Sequence, residues 1–225
     1  MCENLTIHLI IIGAGWHGKE IFSYVRDLQN RGHHIILHGF VDEYKPKGPW
    51  GETKVIGNFS DLITFAESYS NDRLFYITAT GDNKIRKNFV NRIEELGLNN
   101  IAPWKLQHWY AYVGDDVYIG DGTCLAPGVV VTTHVNIGKH CILNVKTSVS
   151  HDCEIGDFVN LNPGVTICGN VKIGEGCYIG AGATIIDKIT IGEWSIIGAG
   201  AVVIDDIPPY VTAVGVPAKI IKYHK

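Results

Sequence analysis

The chain has 225 residues, 46% hydrophobic and 19% charged, a balance that excludes a disordered tail and allows one large domain or two small ones. A formal net charge of -4 with no run of five basic residues excludes a nucleic-acid footprint, and no apolar run approaches the roughly 20 residues that span a bilayer. Twenty-six glycines against eight prolines exclude a collagen-like chain, so the glycine serves something regular.

The pattern opens with an apolar strand from Thr6 to Ile12, too short and without the basic flank of a signal peptide. It runs into Gly13-Ala14-Gly15-Trp16-His17-Gly18, a G-x-G-x-x-G turn that leads to a helical stretch from Lys19 to Gln29. Such a turn brings backbone N–H groups to a pyrophosphate at a helix N-terminus, which singles out Gly15, Trp16 and His17. A second strand, His34 to Val41, ends in Asp42 and Glu43. These two are placed to accept hydrogen bonds from a ribose or a base; the alternative is a solvated strand end. Residues 44–57, rich in Lys, Pro and Gly, read as a loop. A third strand, Leu74 to Thr78, passes through Thr80-Gly81-Asp82-Asn83 into a helix from Lys84 to Leu96, which puts Gly81 on the same sheet edge. Residues 1–100 therefore read as a βαβαβ parallel sheet, half of a Rossmann domain. No second half follows, so a nucleoside diphosphate suits it better than NAD. Residues 101–112, with Pro103, Trp104 and Trp109, read as a joint.

From Val113 the chain divides into sixteen consecutive hexads, VGDDVY, IGDGTC, LAPGVV and onward to VIDDIP, each starting with Val, Ile or Leu. Those three types fill 62 of 225 positions, so sixteen in succession by chance is on the order of one in a billion. Eight second positions are Gly and two are Asn, types that tolerate a left-handed corner. The fifth position is mostly small or β-branched. A short strand, a corner, and the same again build a triangular prism with three hexads per coil, over residues 113–208, about 25 Å tall at ~4.8 Å per coil. Residues 209–225, after Pro208, read as a tail. This pattern resembles the hexapeptide-repeat acyltransferases, which implies a left-handed parallel β-helix.

Six cysteines without a secretion signal point to free thiols in a reducing cytosol. Cys141, Cys153 and Cys177 fall on the inward fifth position and read as small hydrophobes, while Cys2, Cys124 and Cys168 lack the spacing of a zinc site. Among the histidines of the hexads, His134 and His140 read as solvated. With His151 they are spaced by 6 and 11 residues, unlike the zinc histidines of γ-type carbonic anhydrases, so no metal is expected.

The combination of the GAGxHG turn, a VDE strand end, a TGDN-x-x-R turn, the hexads and a closing VGVPAK resembles the NeuD/PglD type of nucleotide-sugar N-acetyltransferase along essentially the whole chain. The resemblance implies a cytoplasmic homotrimer that uses acetyl-CoA to acetylate the amine of a UDP-, dTDP- or GDP-linked 4-amino-4,6-dideoxy sugar for surface-polysaccharide biosynthesis. Its active site would lie between neighbouring β-helices. Within LNVKTSVSHDCEIGDF it implies His151 as general base, Asp152 as its acidic partner, and Asn144 near the sugar. Imidazole, with an ordinary pKa of about 6.5, accepts a proton from an amine at neutral pH. Adjacent side chains on a regular strand point opposite ways, so Asp152 assists only if a corner bends there. By resemblance, Gly169 offers its N–H to the thioester oxygen, Ala181 and Ala199 meet acetyl-CoA through their backbone, and Asn160 lies near the cofactor. Lys219 and Lys222 face its 3′-phosphate or belong to a solvated tail. A sugar O-acetyltransferase and a non-catalytic nucleotide-sugar-binding protein are the alternatives.

Overall fold

A computed structural model describes residues 6–69 and 73–224; Cys2 lies outside the described residues. The chain divides into two compact units, Met1–Trp104 and Lys105–Lys225. No helix among the described residues is long and apolar enough to cross a membrane.

In the first unit the elements run β1 (Ile7–Ile12), α1 (Trp16–Asn30), β2 (Ile35–Val41), β3 (Gly48–Trp50), β4 (Thr53–Gly57), α2 (Phe59–Glu67), β5 (Leu74–Thr78), α3 (Asn83–Glu95) and β6 (Ile101–Pro103). They form one sheet in the order β3-β4-β2-β1-β5-β6, parallel except for the β3–β4 hairpin. Leu9 to Ile12 are wholly buried, as expected of a central parallel strand covered on both faces. The three expected strands and two expected helices are present. Residues 44–57, however, hold a hairpin where a loop is expected. Its Pro49 is tolerated because β3 is the sheet edge, and the β-branched Thr53, Val55 and Ile56 supply the inner strand. Helix α2 starts on a capping box. Asn58 Oδ1 accepts the N–H groups of Ser60 and Asp61, while Asp61 Oδ2 accepts that of Asn58.

The second unit is a parallel β-helix. Each strand pairs with the one eighteen residues further on, as Cys124 does with Ile142 and Asn160 with Tyr178. The three resulting ladders make the faces of the prism. Of the sixteen first-position aliphatics all but Val113 are buried. The ladder starts earlier than the hexads suggest: Leu106–Gln107, inside the stretch read as a joint, and Tyr112–Val113, at its end, already pair with the coil above. It also ends later. Val211–Val214 pairs in parallel with Ile196–Ile197, and Lys219–Tyr223 returns antiparallel, so the expected tail is a β-hairpin.

The corners differ from expectation in an instructive way. Every fourth hexad position from Asp116 to Gly200 has a positive φ, between 53° and 75°, whatever its residue type. The second-position glycines lie outside that region and serve a different purpose. A methyl on Gly174 would sit 2.6 Å from Glu193 N, and one on Gly156 would sit 2.7 Å from Glu175 N, so these glycines let one coil rest on the next. Inward polar atoms are also satisfied between coils. Thr123 Oγ1 donates to Gly138 O (2.8 Å), Cys141 Sγ to Gly156 O (3.1 Å), Cys177 Sγ to Gly192 O (3.0 Å) and Ser195 Oγ to Pro208 O (2.7 Å). The cysteines are therefore weak donors as well as small hydrophobes, and burial pushes the Cys177 thiol up to about 12.

The two kinds of corner glycine make opposite demands. Gly182→Ala has room but carries a left-handed φ, at a cost of about 1–2 kcal/mol, and Gly182→Asn costs less. Gly174→Ala forces two coils apart and is expected to cost about 3 kcal/mol or more. Denaturant unfolding should find Gly182→Asn the least destabilised, Gly182→Ala next and Gly174→Ala the most.

Candidate active site

At the end of β1, Gly13 turns the chain with φ +107°, and a methyl on it would meet Ala79 O at 3.0 Å. Gly18 packs α1 against the sheet, where a methyl would meet Phe40 Cε1 at 3.2 Å. Gly15 faces open space and caps α1 without any side-chain hydrogen bond, so the first N–H groups of a fifteen-residue helix are uncovered. Such a terminus attracts an anion. Trp16 is 85% exposed, and Lys19 Nζ lies 4.6 Å from its ring centre. His17 is 13% exposed. Its Nδ1 bonds Glu20 Oε2 at 2.8 Å, while Nε2 is buried with no hydrogen-bond partner among the described residues. The hydrogen bond from His17, against the opposing effect of burial, holds the Glu20 carboxyl below its ordinary range. An orphaned nitrogen at an uncapped helix start fits a ligand.

Asp42 and Glu43 also have partners within the fold. Asp42 Oδ2 accepts the Ala14 N–H (2.7 Å), and Oδ1 accepts those of Tyr44 (3.0 Å) and Lys45 (2.9 Å). Its carboxylate braces the glycine turn against the end of β2. Glu43 Oε1 accepts a hydrogen bond from Arg92 Nη2 at 3.2 Å. Gly81 is exposed, with no atom within 4 Å of an added methyl. Beside it Asp82 caps α3 through the Ile85 N–H (2.9 Å), and the fully buried Arg86 donates to Thr80 O (3.0 Å). The role of Arg86 was not legible, because nothing in TGDN-x-x-R says that the cation turns inward.

In the second unit His151 and Asp152 occupy the third and fourth positions of one hexad. Asp152 has φ 60°, so the corner bends there as it does in every coil. That bend brings Asp152 Oδ2 to 2.7 Å from His151 Nδ1. The His151 side chain is 56% exposed, and its ring lies across Gly169, one coil on: a methyl there would be 2.7 Å from Cε1 and 2.8 Å from Nε2. The Gly169 N–H is not idle, since it donates to Asp187 Oδ1 at 3.2 Å. The eighteen-residue offset was the available signal for that partner.

Other expected residues lie elsewhere on the prism. Asn144, Ala181 and Ala199 share a different edge from His151, between the faces that carry Cys124–Leu125 and Val130–Val131. Asn144 Oδ1 accepts the Val145 N–H at 2.7 Å. Ala181 and Ala199 are exposed, and among the described residues their N–H groups have no acceptor. Asn160, read as a cofactor contact, is 2% exposed and so is closed to solvent in this chain. His134 is exposed beside Asp116, whereas His140 departs from the solvated reading: it is 4% exposed and stacks on Phe158 with ring centres 5.3 Å apart. Lys219 and Lys222 lie on the last strand, Lys219 Nζ 4.0 Å from Asp205 Oδ2. Among the described residues, no three His, Cys, Asp or Glu side chains gather where they could hold a metal.

The PglD N-terminal domain family matches residues 8–93, and the bacterial transferase hexapeptide (six repeats) family matches residues 170–205. GDP-perosamine N-acetyltransferase of Escherichia coli O157:H7 is 35% identical over 148 residues, which cover 64% of this chain and 62% of the relative's length. Among solved structures, perosamine N-acetyltransferase of Caulobacter crescentus, in complex with CoA and GDP-perosamine, superposes with a TM-score of 0.85 at 30% identity over 96% of this chain and 97% of its own. The acetyltransferase domain of PglB from Neisseria gonorrhoeae, in complex with acetyl coenzyme A, gives 0.82 at 31% identity over 96% and 100%. The fold is thus the expected half-Rossmann unit followed by a left-handed parallel β-helix, and the chain belongs to the PglD type of hexapeptide-repeat, nucleotide-sugar N-acetyltransferases.

Proposed function

We propose that the protein transfers an acetyl group from acetyl-CoA to the amine of a nucleotide-linked 4-amino-4,6-dideoxy sugar, with His151 as the general base. The observation that carries the reading is the 2.7 Å contact between His151 Nδ1 and Asp152 Oδ2. A carboxylate only accepts, so Nδ1 holds the proton and Nε2 keeps its lone pair. Nε2 takes a proton from the amine as the nitrogen attacks the thioester carbon. The C–S bond then breaks and the imidazolium returns the proton to the departing thiolate, while Asp152 faces the transient positive charge. The Caulobacter enzyme has been solved with a single histidine replaced by Asn and by Ala, which supports a histidine at the centre of the chemistry.

The first unit is the nucleotide-sugar domain in this reading. The uncapped start of α1 receives the diphosphate, with Trp16 and Gly81 beside it; His17, whose Nδ1 donates to Glu20, keeps an acceptor lone pair on Nε2 for a ligand hydroxyl or N–H, and Asp42 and Glu43 act through the loop geometry they hold. Two of the similar proteins named above act on or hold GDP-perosamine, so GDP is the favoured carrier over UDP and dTDP. The second unit is the acyltransferase domain. The edge bearing His151 and the edge bearing the spare Ala181 and Ala199 amides are different edges of one prism. A cofactor that meets both is served by two chains, which favours a homotrimer working in the cytoplasm, where acetyl-CoA is found.

Thiol release from acetyl-CoA with GDP-, UDP- and dTDP-linked 4-amino sugars tests the proposal. The GDP sugar should be the best substrate, and His151→Ala should lower kcat by about 10²–10⁴ with the fold intact. A His151→Ala enzyme of full activity would sink the base assignment and favour a binding module. Asp42→Asn should raise KM for the nucleotide sugar about ten-fold and leave KM for acetyl-CoA alone, because three backbone N–H contacts of the loop weaken together. Sedimentation equilibrium should return about three times the 24.7 kDa chain mass, and a monomer would contradict the two-chain site.

A further inference from the structure

The ladder between coils draws its donors from the second, fourth and sixth hexad positions, as in Gly156 N to Ile173 O, Asp152 N to Thr133 O and Glu154 N to Val171 O. The third-position N–H takes no part in that ladder, and at Pro127 and Pro163 there is none to place. The column meets this surplus with an aspartate from the coil above at two places. Lys139 N–H donates to Asp157 Oδ1 at 2.6 Å, and Gly169 N–H donates to Asp187 Oδ1 at 3.2 Å. Only at the second place does the His151 ring lie on the same residue. Asp187 is exposed and therefore has solvent to turn into. Its charge is also felt next door: burial first, and then Asp187, pushes the Cys168 thiol up.

We propose that Asp187 is a positioning residue for acyl transfer, a placeholder that occupies the Gly169 N–H in the free enzyme and must yield it to the thioester oxygen when acetyl-CoA binds. This rests on the reading of the His151 and Gly169 corner given above. An N–H makes one well-aligned hydrogen bond at a time, and the carboxylate also sets a negative charge where the acyl oxygen gathers its own. Acetyl-CoA therefore binds against the loss of that contact, and removing the carboxylate tightens the cofactor without touching the sugar site.

Steady-state kinetics of Asp187→Ala, Asp187→Asn and Asp157→Ala separate this from a plain corner brace. Asp187→Ala should lower KM for acetyl-CoA about five-fold, the scale of one competing hydrogen bond, with KM for the nucleotide sugar unchanged. Asp187→Asn, isosteric and still an acceptor but uncharged, should lower it about two-fold. Asp157→Ala removes the equivalent brace at Lys139 and should move neither KM. An unchanged or raised KM for acetyl-CoA in both Asp187 variants, or the same fall in Asp157→Ala, overturns the placeholder. His151→Ala measured alongside keeps the two ideas apart. If it is inactive while the Asp187 variants match the parent, only the placeholder fails; if it is fully active, the base assignment fails.

Discussion

The hydrogen-bond ladder between successive coils holds them about 4.8 Å apart, and the whole second unit is built to that spacing. At the eight hexads with glycine in the second position a Cβ would collide with the next coil, which is why glycine stands there even though its backbone is ordinary, while other corners accept Thr132, Asn144 or Ile186. The turn itself is made two residues later, at a left-handed fourth position that accepts Lys146, Phe158 and Trp194 as well as glycine. The strain of those residues is offset by the fourth-position N–H, which bonds the coil below. Close stacking also decides what is allowed inside. Small hydroxyl and thiol groups appear at the fifth position because each reaches a corner carbonyl of the next coil.

Both units offer ligands backbone more than side chain. In the first, Gly15 exposes a helix terminus and Asp42 spends its carboxylate on three N–H groups that shape the loop. In the second, the same geometry that satisfies the ladder leaves the third-position amide over, and the residues at those positions decide what becomes of it. Alanine leaves it open at 181 and 199, and an aspartate one coil on closes it at 139 and 169. The specific side chains are few, and the proposed base is one of them.

The hexads were legible because burial of the first and fifth positions leaves a period that nothing else in the chain imitates. The fate of His140 was not, since the period marks a fourth position as a corner without saying that Phe158 will stack on it. The first and last coils were hidden for different reasons: Leu106–Gln107 keeps the eighteen-residue offset but puts Gln107 where the pattern asks for an aliphatic, and Val211–Val214 joins the ladder out of register after Pro208 and Pro209 shorten the path. In the first unit, strand β4 was masked by the glycines and prolines of its own hairpin. Asp42 stood out as polar at a strand end, but only the fold reveals that its oxygens also hold three N–H groups of the loop. The contact between His151 and Asp152 was foreseen as a condition on the corner, and φ at Asp152 meets it.

Two periods coexist in the column. The core repeats every six residues, while the edges repeat every eighteen. Gain or loss of six residues would leave each downstream aliphatic still pointing inward, so stability would scarcely register the event. It would nevertheless rotate everything beyond it by one face; falling between Asn144 and Ala181, it would carry Ala181 and Ala199 off the edge they share with Asn144. Length variation in such a protein is therefore silent to folding in units of one hexad and silent to ligand recognition only in units of a full coil. Surviving insertions and deletions should be counted in eighteens.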